Sequence, residues 1–172
     1  MTQLYLLRHA HAGDATKWKG DDAERPLTEK GIRQAERLGR FLSQVGFRPD
    51  TIVSSPKLRA FQTAEIVGRL VRTDVAIDER LASGAGISTV EQILAELDAD
   101  RPMLVGHDPD FSMLVNALCD SHMTPMRKGA LARIDVSHPV KAGAGTLRWL
   151  IPPDLLRTEE SPSGRSSALE HG

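Results

Sequence analysis

The chain has 172 residues and a formal net charge of −1, and its hydrophobic and charged fractions are 40% and 26%. This balance is ordinary for a soluble globular domain, and the near-neutral charge excludes a global field that attracts nucleic acid or acidic lipid. The single cysteine, Cys119, excludes an internal disulfide and fits a reducing compartment.

The N-terminal part begins with a short predicted strand. The apolar run at residues 4–7 is typical of a parallel strand that is buried on both faces. The run ends in Arg8 and His9. Because ligands of open α/β sheets lie at the carboxyl ends of the strands, this pair is placed to act on an anion. A polar loop at residues 13–25 follows.

A predicted helix and a strand–helix unit follow the loop. Thr28 is the expected N-cap of the first helix. Residues 51–54 form the next strand, and Ser55 and Pro56 are expected as the N-cap and first position of the second helix. Arg59 lies in the first turn of that helix, where free N–H groups also favour an anion.

A third helix and a third buried strand are predicted in the middle of the chain. Residues 75–77 alternate as a short peripheral strand, and Ser88 with Glu91 predicts a capping box before the helix. The apolar run at residues 103–106 then ends directly at His107. This repeats the pattern of the first strand, in which a histidine follows a buried strand.

The last part predicts one more helix and a hairpin. Asp108 and Pro109 are expected to open the helix. Residues 131–136 and 147–151 alternate around a glycine-rich turn and predict an antiparallel pair at one end of the sheet. We therefore expect a three-layer α/β/α sandwich with a mostly parallel central sheet and an antiparallel edge strand.

The domain organisation follows from length and composition. Residues 1–157 carry the periodic segments and are expected to form one domain. Residues 158–172 are rich in Ser, Glu, Pro and Gly without periodicity, which predicts a disordered tail. No apolar run reaches the ~20 residues of a membrane span. The first residues lack a secretory-signal pattern, so we expect a cytoplasmic protein with no membrane or nucleic-acid partner.

The strand ends predict a cationic site at one edge of the sheet. His9, Arg59 and His107 are expected to meet there, and Arg8 accompanies His9. Two guanidinium groups and two imidazoles beside a helix N-terminus favour phosphate, because guanidinium forks bind phosphate oxygens bidentately and stay charged. The residues alone therefore indicate a binding or reaction site for a phosphorylated compound.

The motifs, taken as a set, resemble the histidine phosphatase superfamily, which has a phosphoglycerate mutase-like fold. Leu7-Arg8-His9-Ala10 is similar to its Arg-His-Gly signature, with alanine in place of glycine. Residues 25–31, 54–64 and 105–107 match its other blocks in order, and the resemblance covers about residues 3–151. The short chain and the Trp149 strand are similar to those of the small bacterial phosphohistidine phosphatases of the SixA type.

This resemblance implies an activity and a set of site residues. His9 is implied as the nucleophile that forms a phosphohistidine intermediate, and Arg8, Arg59 and His107 as the groups that hold the phosphoryl oxygens. Arg25 is expected at the mouth of the pocket. No cofactor and no metal are implied. The implied partner is a phosphorylated protein, such as a histidine phosphotransfer domain, and the alternative is a small phosphorylated metabolite.

The chain departs from the family pattern in two places. Residues 11–14 contain no asparagine after the signature, which disfavours a mutase. Glu79 is the candidate general acid, but an alignment ending at Leu81 puts Arg80 at the expected position. Phosphohistidine can expel neutral imidazole, because the second ring nitrogen binds a proton near pH ~6.5. The ambiguous acid therefore favours a phosphohistidine protein over an alkyl phosphate.

Two other functions are compatible with parts of the pattern. The first is a metal-dependent hydrolase. Its ligands would be His9, His11, Asp14 and His107. Arg8 and Arg59 disfavour it, since fixed cations repel a divalent ion. The second is a non-catalytic binder of phosphorylated ligands, which would need the arginines but not both histidines.

Overall fold

The computed structural model describes residues 1–122 and 124–158. Strands β1 to β6 cover Thr2–Arg8, Thr51–Ser54, Val75–Ile77, Pro102–Gly106, Leu131–Val136 and Gly145–Ile151. Helices α1 to α4 cover Glu29–Gln44, Leu58–Val71, Ile87–Glu96 and Asp110–Cys119. No helix in these described residues combines the length and apolarity that a bilayer crossing requires. Except for Thr158, the predicted tail at residues 158–172 lies outside the described residues.

The strands form one sheet in the order β3-β2-β4-β1-β5-β6. Parallel pairs join β3 to β2, β2 to β4 and β4 to β1. Strand β5 is antiparallel to both β1 and β6. The predicted mostly parallel sheet with an antiparallel edge is therefore confirmed. Because β5 runs against β1, the segment that enters β5 lies at the edge where β1 and β4 end.

Both faces of the sheet are covered by helices. The side chains of β1 alternate between two buried clusters, with Leu4 and Leu6 in one and Tyr5 and Leu7 in the other. The first cluster includes the buried residues of α3 and α4, and the second includes those of α1 and α2. Burial on both faces explains why this strand has a continuous apolar sequence. The three-layer α/β/α arrangement is confirmed.

Two glycines allow the close contacts that shape the carboxyl edge of the sheet. A Cβ on Gly31, at the start of α1, would lie 2.0 Å from the carbonyl oxygen of His11. A Cβ on Gly106 would lie 2.7 Å from the ring of Phe111. Any larger residue at either position would push α1 or α4 away from the strand ends.

Two helices begin at residues other than those predicted. Helix α2 follows Lys57 rather than Ser55, whose hydroxyl accepts a hydrogen bond from the Lys57 backbone N–H at 3.2 Å. Helix α3 follows Gly86 rather than Ser88, and the Thr89 hydroxyl accepts from the Gly86 N–H at 3.2 Å. Both predictions were wrong because several polar residues at these turns could act as caps.

Helix α4 also begins slightly later than predicted. Pro109 is its N-cap, and the first helical residue is Asp110. The Asp108 carboxylate still serves the first turn, because it accepts hydrogen bonds from the Ser112 backbone N–H at 3.0 Å and the Ser112 hydroxyl at 2.6 Å. These bonds hold the chain that follows His107.

Candidate active site

Two histidines meet at the carboxyl edge of the sheet. In the β1–β4 pair, Arg8 lies opposite Gly106, and the His9 backbone N–H donates to the Gly106 carbonyl at 3.0 Å. The residues that follow the two strands are therefore neighbours. The rings of His9 and His107 have centroids 5.3 Å apart and are inclined by 53°.

A cavity of about 250 Å³ opens at this edge. Of the residues predicted for the site, it is lined by Arg8, His9, Arg25, Arg59 and His107. It is also lined by Lys57, Asp108, Asp110 and Lys128. The structure thus brings together the histidines and arginines that sequence analysis singled out.

The environment of His9 fixes which ring nitrogen carries the proton. The side chain is buried, with 5% of the residue exposed, and Nδ1 lies 2.7 Å from the Ala10 carbonyl oxygen. Because a carbonyl only accepts, Nδ1 holds the proton and Nε2 keeps a free lone pair. The pKa of His9 is lowered to about 3, mainly by burial; the Ala10 carbonyl acts in the opposite direction, and His107 and Arg59 act in the same direction as burial. The ring is therefore neutral at pH 7.

His107 is held through Nε2, whereas His9 is held through Nδ1. Its Nε2 lies 2.7 Å from the Ser55 Oγ, and the same oxygen accepts from the Lys57 backbone N–H at 3.2 Å. We assign the Ser55 hydroxyl as the donor and Nε2 of His107 as the acceptor of this hydrogen bond. The His107 ring proton is then on Nδ1. Burial lowers the pKa of His107 to about 3, and the charges of Arg59 and Lys57 act in the same direction.

The two arginines are fixed by their terminal nitrogens. Arg8 donates from Nη1 to the Met126 carbonyl at 2.7 Å and lies 3.4 Å from an Asp108 carboxylate oxygen. Arg59 donates to the backbone carbonyl and the carboxylate of Asp22 at 2.8 and 3.0 Å. Burial lowers the pKa of both guanidinium groups, but arginine remains a cation at any working pH.

Three buried side-chain nitrogens in the described residues have no hydrogen-bond partner, and all three belong to residues that line this cavity. They are Nε of Arg8, Nε of Arg59 and Nδ1 of His107. Folded proteins rarely leave buried polar groups unpaired, since each costs about 1–3 kcal/mol. Two guanidinium groups and an imidazole that line one small cavity can bind the oxygens of an anion.

The loop at residues 13–25 is tied to the cavity by one carboxylate. Asp22 accepts from Nε of Arg25 at 3.0 Å and from Arg59 at 3.0 Å. Arg25 is buried, and its Nη1 also donates to the Ala12 carbonyl at 2.7 Å. These bonds place Arg25 in the cavity wall and keep the loop beside it.

Comparison with known proteins agrees with this geometry. The family model of the histidine phosphatase superfamily (branch 1) matches residues 4–86. An uncharacterised protein of Picosynechococcus sp. is 35% identical over 121 residues, which cover 67% of this chain and 72% of that protein. This chain belongs to the histidine phosphatase superfamily. The match to residues 4–86 includes His9 and Arg59, whereas His107 lies beyond it.

Two further matches are to members of the superfamily named SixA. The phosphohistidine phosphatase SixA of Escherichia coli is 28% identical over 161 residues, covering 90% of this chain and 96% of that protein. The structure of the protein histidine phosphatase SixA complexed with tungstate superimposes with a TM-score of 0.77 at 26% identity, covering 91% of this chain and 100% of that chain. The predicted superfamily and fold are thus confirmed over most of the chain.

The candidate general acid does not line the cavity. Glu79 is exposed in a short 3-10 helix, and it does not line the cavity. Arg80, the alternative at that position, pairs with two carboxylates and does not line the cavity either. The carboxylates that do line it are Asp108 and Asp110, and both accept hydrogen bonds from the protein.

The ligands of the alternative metal hypothesis are not gathered into one cluster. Nδ1 of His11 lies 2.7 Å from the Thr28 hydroxyl, and the Asp14 carboxylate accepts from the N–H and hydroxyl of Thr16. Within residues 1–122 and 124–158, no group of three or more His, Cys, Asp or Glu side chains forms a candidate metal site. The cavity presents N–H donors instead.

Two residues that organise the site are not predicted from the sequence as site residues. The sequence predicts Ser55 as a helix cap, whereas its hydroxyl contacts His107, 52 positions away. It predicts Asp22 only as part of a polar loop, whereas Asp22 binds both Arg25 and Arg59. Ser55 lies inside a block that resembles the family motif, which was the available signal for it. Nothing in the composition of the loop distinguishes Asp22 from its acidic neighbours.

Proposed function

We propose that this protein is a phosphohistidine phosphatase that transfers the phosphoryl group of a phosphorylated protein to His9. The observation that carries the proposal is that Arg8, Arg59 and His107, each with one unpaired buried nitrogen, line one cavity together with the neutral imidazole of His9. Phosphoryl transfer depends mainly on positioning and on stabilising charge on the phosphoryl oxygens. The cavity supplies both a nucleophile and the donors for those oxygens.

The proposed reaction has two steps. The lone pair on Nε2 of His9 forms a bond to phosphorus while the bond from phosphorus to the substrate nitrogen breaks, and the substrate leaves as a neutral imidazole that carries a proton on its other nitrogen. Nδ1 of His9 keeps its proton in both steps and donates it in a hydrogen bond to the Ala10 carbonyl. Water then attacks phosphorus, releases inorganic phosphate and a proton, and restores neutral His9.

The position of Glu79 outside the cavity favours this leaving group. An alkyl phosphate must expel an alkoxide, which needs a proton from a general acid. Glu79 does not line the cavity, whereas phosphohistidine brings its own proton on the second ring nitrogen. The similarity to a protein named phosphohistidine phosphatase supports the same substrate. We therefore assign a phosphorylated protein, such as a histidine phosphotransfer domain, as the partner in the cytoplasm.

A second candidate function is a small-molecule phosphomonoesterase. It is favoured by Asp108 and Asp110, whose carboxylates line the cavity and could serve as the acid in place of Glu79. Such an enzyme would act on a small phosphorylated metabolite with the same nucleophile and the same arginines.

Substrate comparison separates these functions. We expect kcat/KM to be higher for a phosphorylated histidine phosphotransfer domain than for any member of a panel of sugar and glycerate phosphates. We also expect turnover to be unaffected by a chelator. If an alkyl phosphate is the better substrate and Asp108→Asn or Asp110→Asn removes that activity, the protein is a phosphomonoesterase. Loss of activity with the chelator would instead support a metal-dependent hydrolase.

The covalent step is tested by trapping the intermediate. Wild-type protein mixed with labelled substrate should yield an acid-labile phosphoenzyme, and His9→Ala should yield none while it keeps its fold. His122→Ala is the matched control, because His122 is exposed and does not line the cavity of His9. Undiminished turnover of His9→Ala would exclude this nucleophile. Tight phosphate binding without any phosphoenzyme in the wild type would indicate a non-catalytic binder.

A further inference from the structure

A second concave surface, larger than the catalytic cavity, lies next to it. Its volume is about 730 Å³, and Arg8 and Lys128 line both spaces. We call it the basic groove. Its further cationic side chains are Lys30, Arg33, Arg37, Arg127 and Arg157. The groove therefore continues directly from the place where the proposed reaction occurs.

The fold explains why these cations share one surface. Lys30, Arg33 and Arg37 recur at the spacing that places side chains on one face of α1. Gly129 donates to the backbone carbonyls of Arg8 and His9 at 3.1 and 2.9 Å. Because Arg127 and Lys128 immediately precede Gly129, the antiparallel direction of β5 brings them to the same edge.

The charge of the groove is not balanced by the described part of the protein. Within residues 1–122 and 124–158, none of these cations apart from Arg8 forms an ion pair. One carboxylate, Asp154, lines the groove. Burial lowers the pKa of Lys128, and the charges of Arg8 and Arg25 lower it further. On a chain with a net charge of −1, this is a local concentration of positive charge.

Lys30 and Arg33 differ from the arginines of the cavity in their exposure. Both are exposed on α1 and have no hydrogen-bond partner among the described residues. Like charges three or four positions apart on a helix repel each other. A surface of this kind orients an anionic partner through its field rather than through fixed bidentate bonds.

We propose that the basic groove docks an acidic surface of the phosphorylated protein, next to its phosphohistidine. This rests on the proposed function. The cavity of about 250 Å³ can hold a phosphoryl group and an imidazole ring, so the rest of a protein substrate must lie on the surface around it. The groove is continuous with the cavity, and its charge selects a partner that carries carboxylates there.

The experiment uses two synthetic phosphohistidine peptides of equal length. One carries glutamates on both sides of the phosphohistidine, and the other carries glutamines at the same positions. We expect the glutamate peptide to have a kcat/KM about tenfold higher, mainly through a lower KM, and we expect added salt to reduce this preference. Binding of the same peptides to His9→Ala should show the same preference without turnover.

Charge reversal locates the effect. Lys30→Glu/Arg33→Glu is expected to abolish the preference for the glutamate peptide over the glutamine peptide. The matched control is Arg48→Glu/Arg69→Glu, which makes the same charge change at exposed positions before β2 and in the last turn of α2. These positions lie at the opposite edge of the sheet, so the control should keep the preference.

The outcomes distinguish this proposal from the proposed function. Hydrolysis of both peptides with equal kcat/KM, or a preference that survives Lys30→Glu/Arg33→Glu, overturns the docking proposal and leaves the phosphatase function standing. A second outcome is that the glutamate peptide binds to the groove of His9→Ala but the wild type does not hydrolyse it. This outcome overturns the phosphatase function and supports docking. A preference lost equally in the control variant shows a general charge effect and also overturns docking.

Discussion

The catalytic cavity and the basic groove are both rich in cations, but their side chains are held in different ways. In the cavity, Arg8 and Arg59 are anchored through their terminal nitrogens and each leaves a buried Nε without a partner. In the groove, Lys30 and Arg33 are exposed and make no ion pair within the described residues. The cavity side chains therefore have fixed positions around the reacting group, whereas the groove side chains create a positive electrostatic field at the surface.

Substitutions in the cavity and in the groove should therefore affect different measurements. A buried donor acts on the reacting group over one hydrogen-bond length, so its loss should lower turnover of every substrate. An exposed cation acts through solvent, so its loss should change only the affinity for a charged partner and should depend on salt.

The largest effect is expected at Arg59. Arg59→Ala should lower kcat/KM for free phosphohistidine about 10²-fold, because a donor to the phosphoryl oxygens is lost. Arg59→Lys should lower it at least about tenfold, about 1.4 kcal/mol of transition-state stabilisation. Steady-state kinetics measure these losses. Arg33→Lys in the groove is the control and should change kcat/KM for free phosphohistidine little. If Arg59→Lys leaves kcat/KM unchanged, Arg59 does not bind the phosphoryl group.

A smaller effect is expected at Ser55. Ser55→Ala removes the hydroxyl that contacts Nε2 of His107 and so removes the preference for a proton on Nδ1. We expect kcat to fall roughly tenfold, which corresponds to the loss of one buried hydrogen bond of about 1–1.5 kcal/mol. Nitrogen NMR of the His107 ring should show that the tautomer changes together with kcat.

Ser54→Ala is the control for Ser55→Ala. The Ser54 hydroxyl donates to the Ser55 carbonyl and does not contact His107. Both residues are fully buried, so a loss of packing should affect them alike. A His107 tautomer that is the same in Ser55→Ala and the wild type would contradict the positioning role.

The buried histidines also predict a pH dependence of stability. The pKa values of His9 and His107 are about 3 in the folded protein and about 6.5 in the unfolded chain. Between these two pH values the unfolded state binds more protons than the folded state. The contribution of the histidines to the free energy of unfolding is therefore fully present above about pH 6.5 and decreases as the pH falls. Each histidine contributes a slope of up to about 1.4 kcal/mol per pH unit.

Urea unfolding between pH 7.5 and 5 measures this slope. His107→Gln should show a smaller dependence than the wild type, whereas Arg33→Gln in the groove should leave the dependence unchanged, since arginine does not titrate there. An NMR titration in which His9 becomes protonated near pH ~6.5 would contradict the prediction.

The smallest effect is expected for the C-terminal tail. Residues after Thr158 lack apolar periodicity in the sequence, so a chain that ends there should keep the melting temperature and turnover of the full chain. Thr158 lines the basic groove, and Glu159 and Glu160 follow it in the sequence. A preference for the glutamate peptide that appears only after truncation would therefore assign the groove to the chain's own tail.

The sequence by itself was sufficient to predict β1 and β4 and the edge at which they end. Their residues are apolar without interruption because both faces of the sheet are covered, and this pattern is visible in one dimension. A parallel sheet then brings His9 and His107 to the same edge. The alternation of strands and helices was enough to predict this convergence, including Arg59 in the first turn of the helix after β2, and the family resemblance added Arg25.

Only the tertiary structure decided the contacts between residues that are distant along the chain. It connected Ser55 to His107 and Asp22 to Arg59, and it left Glu79 outside the cavity. It also brought Lys128 beside Arg8, because β5 runs antiparallel to β1. Local periodicity reports which face of an element is buried, whereas these contacts depend on the direction and order of strands and on side-chain rotamers, which no local spacing encodes.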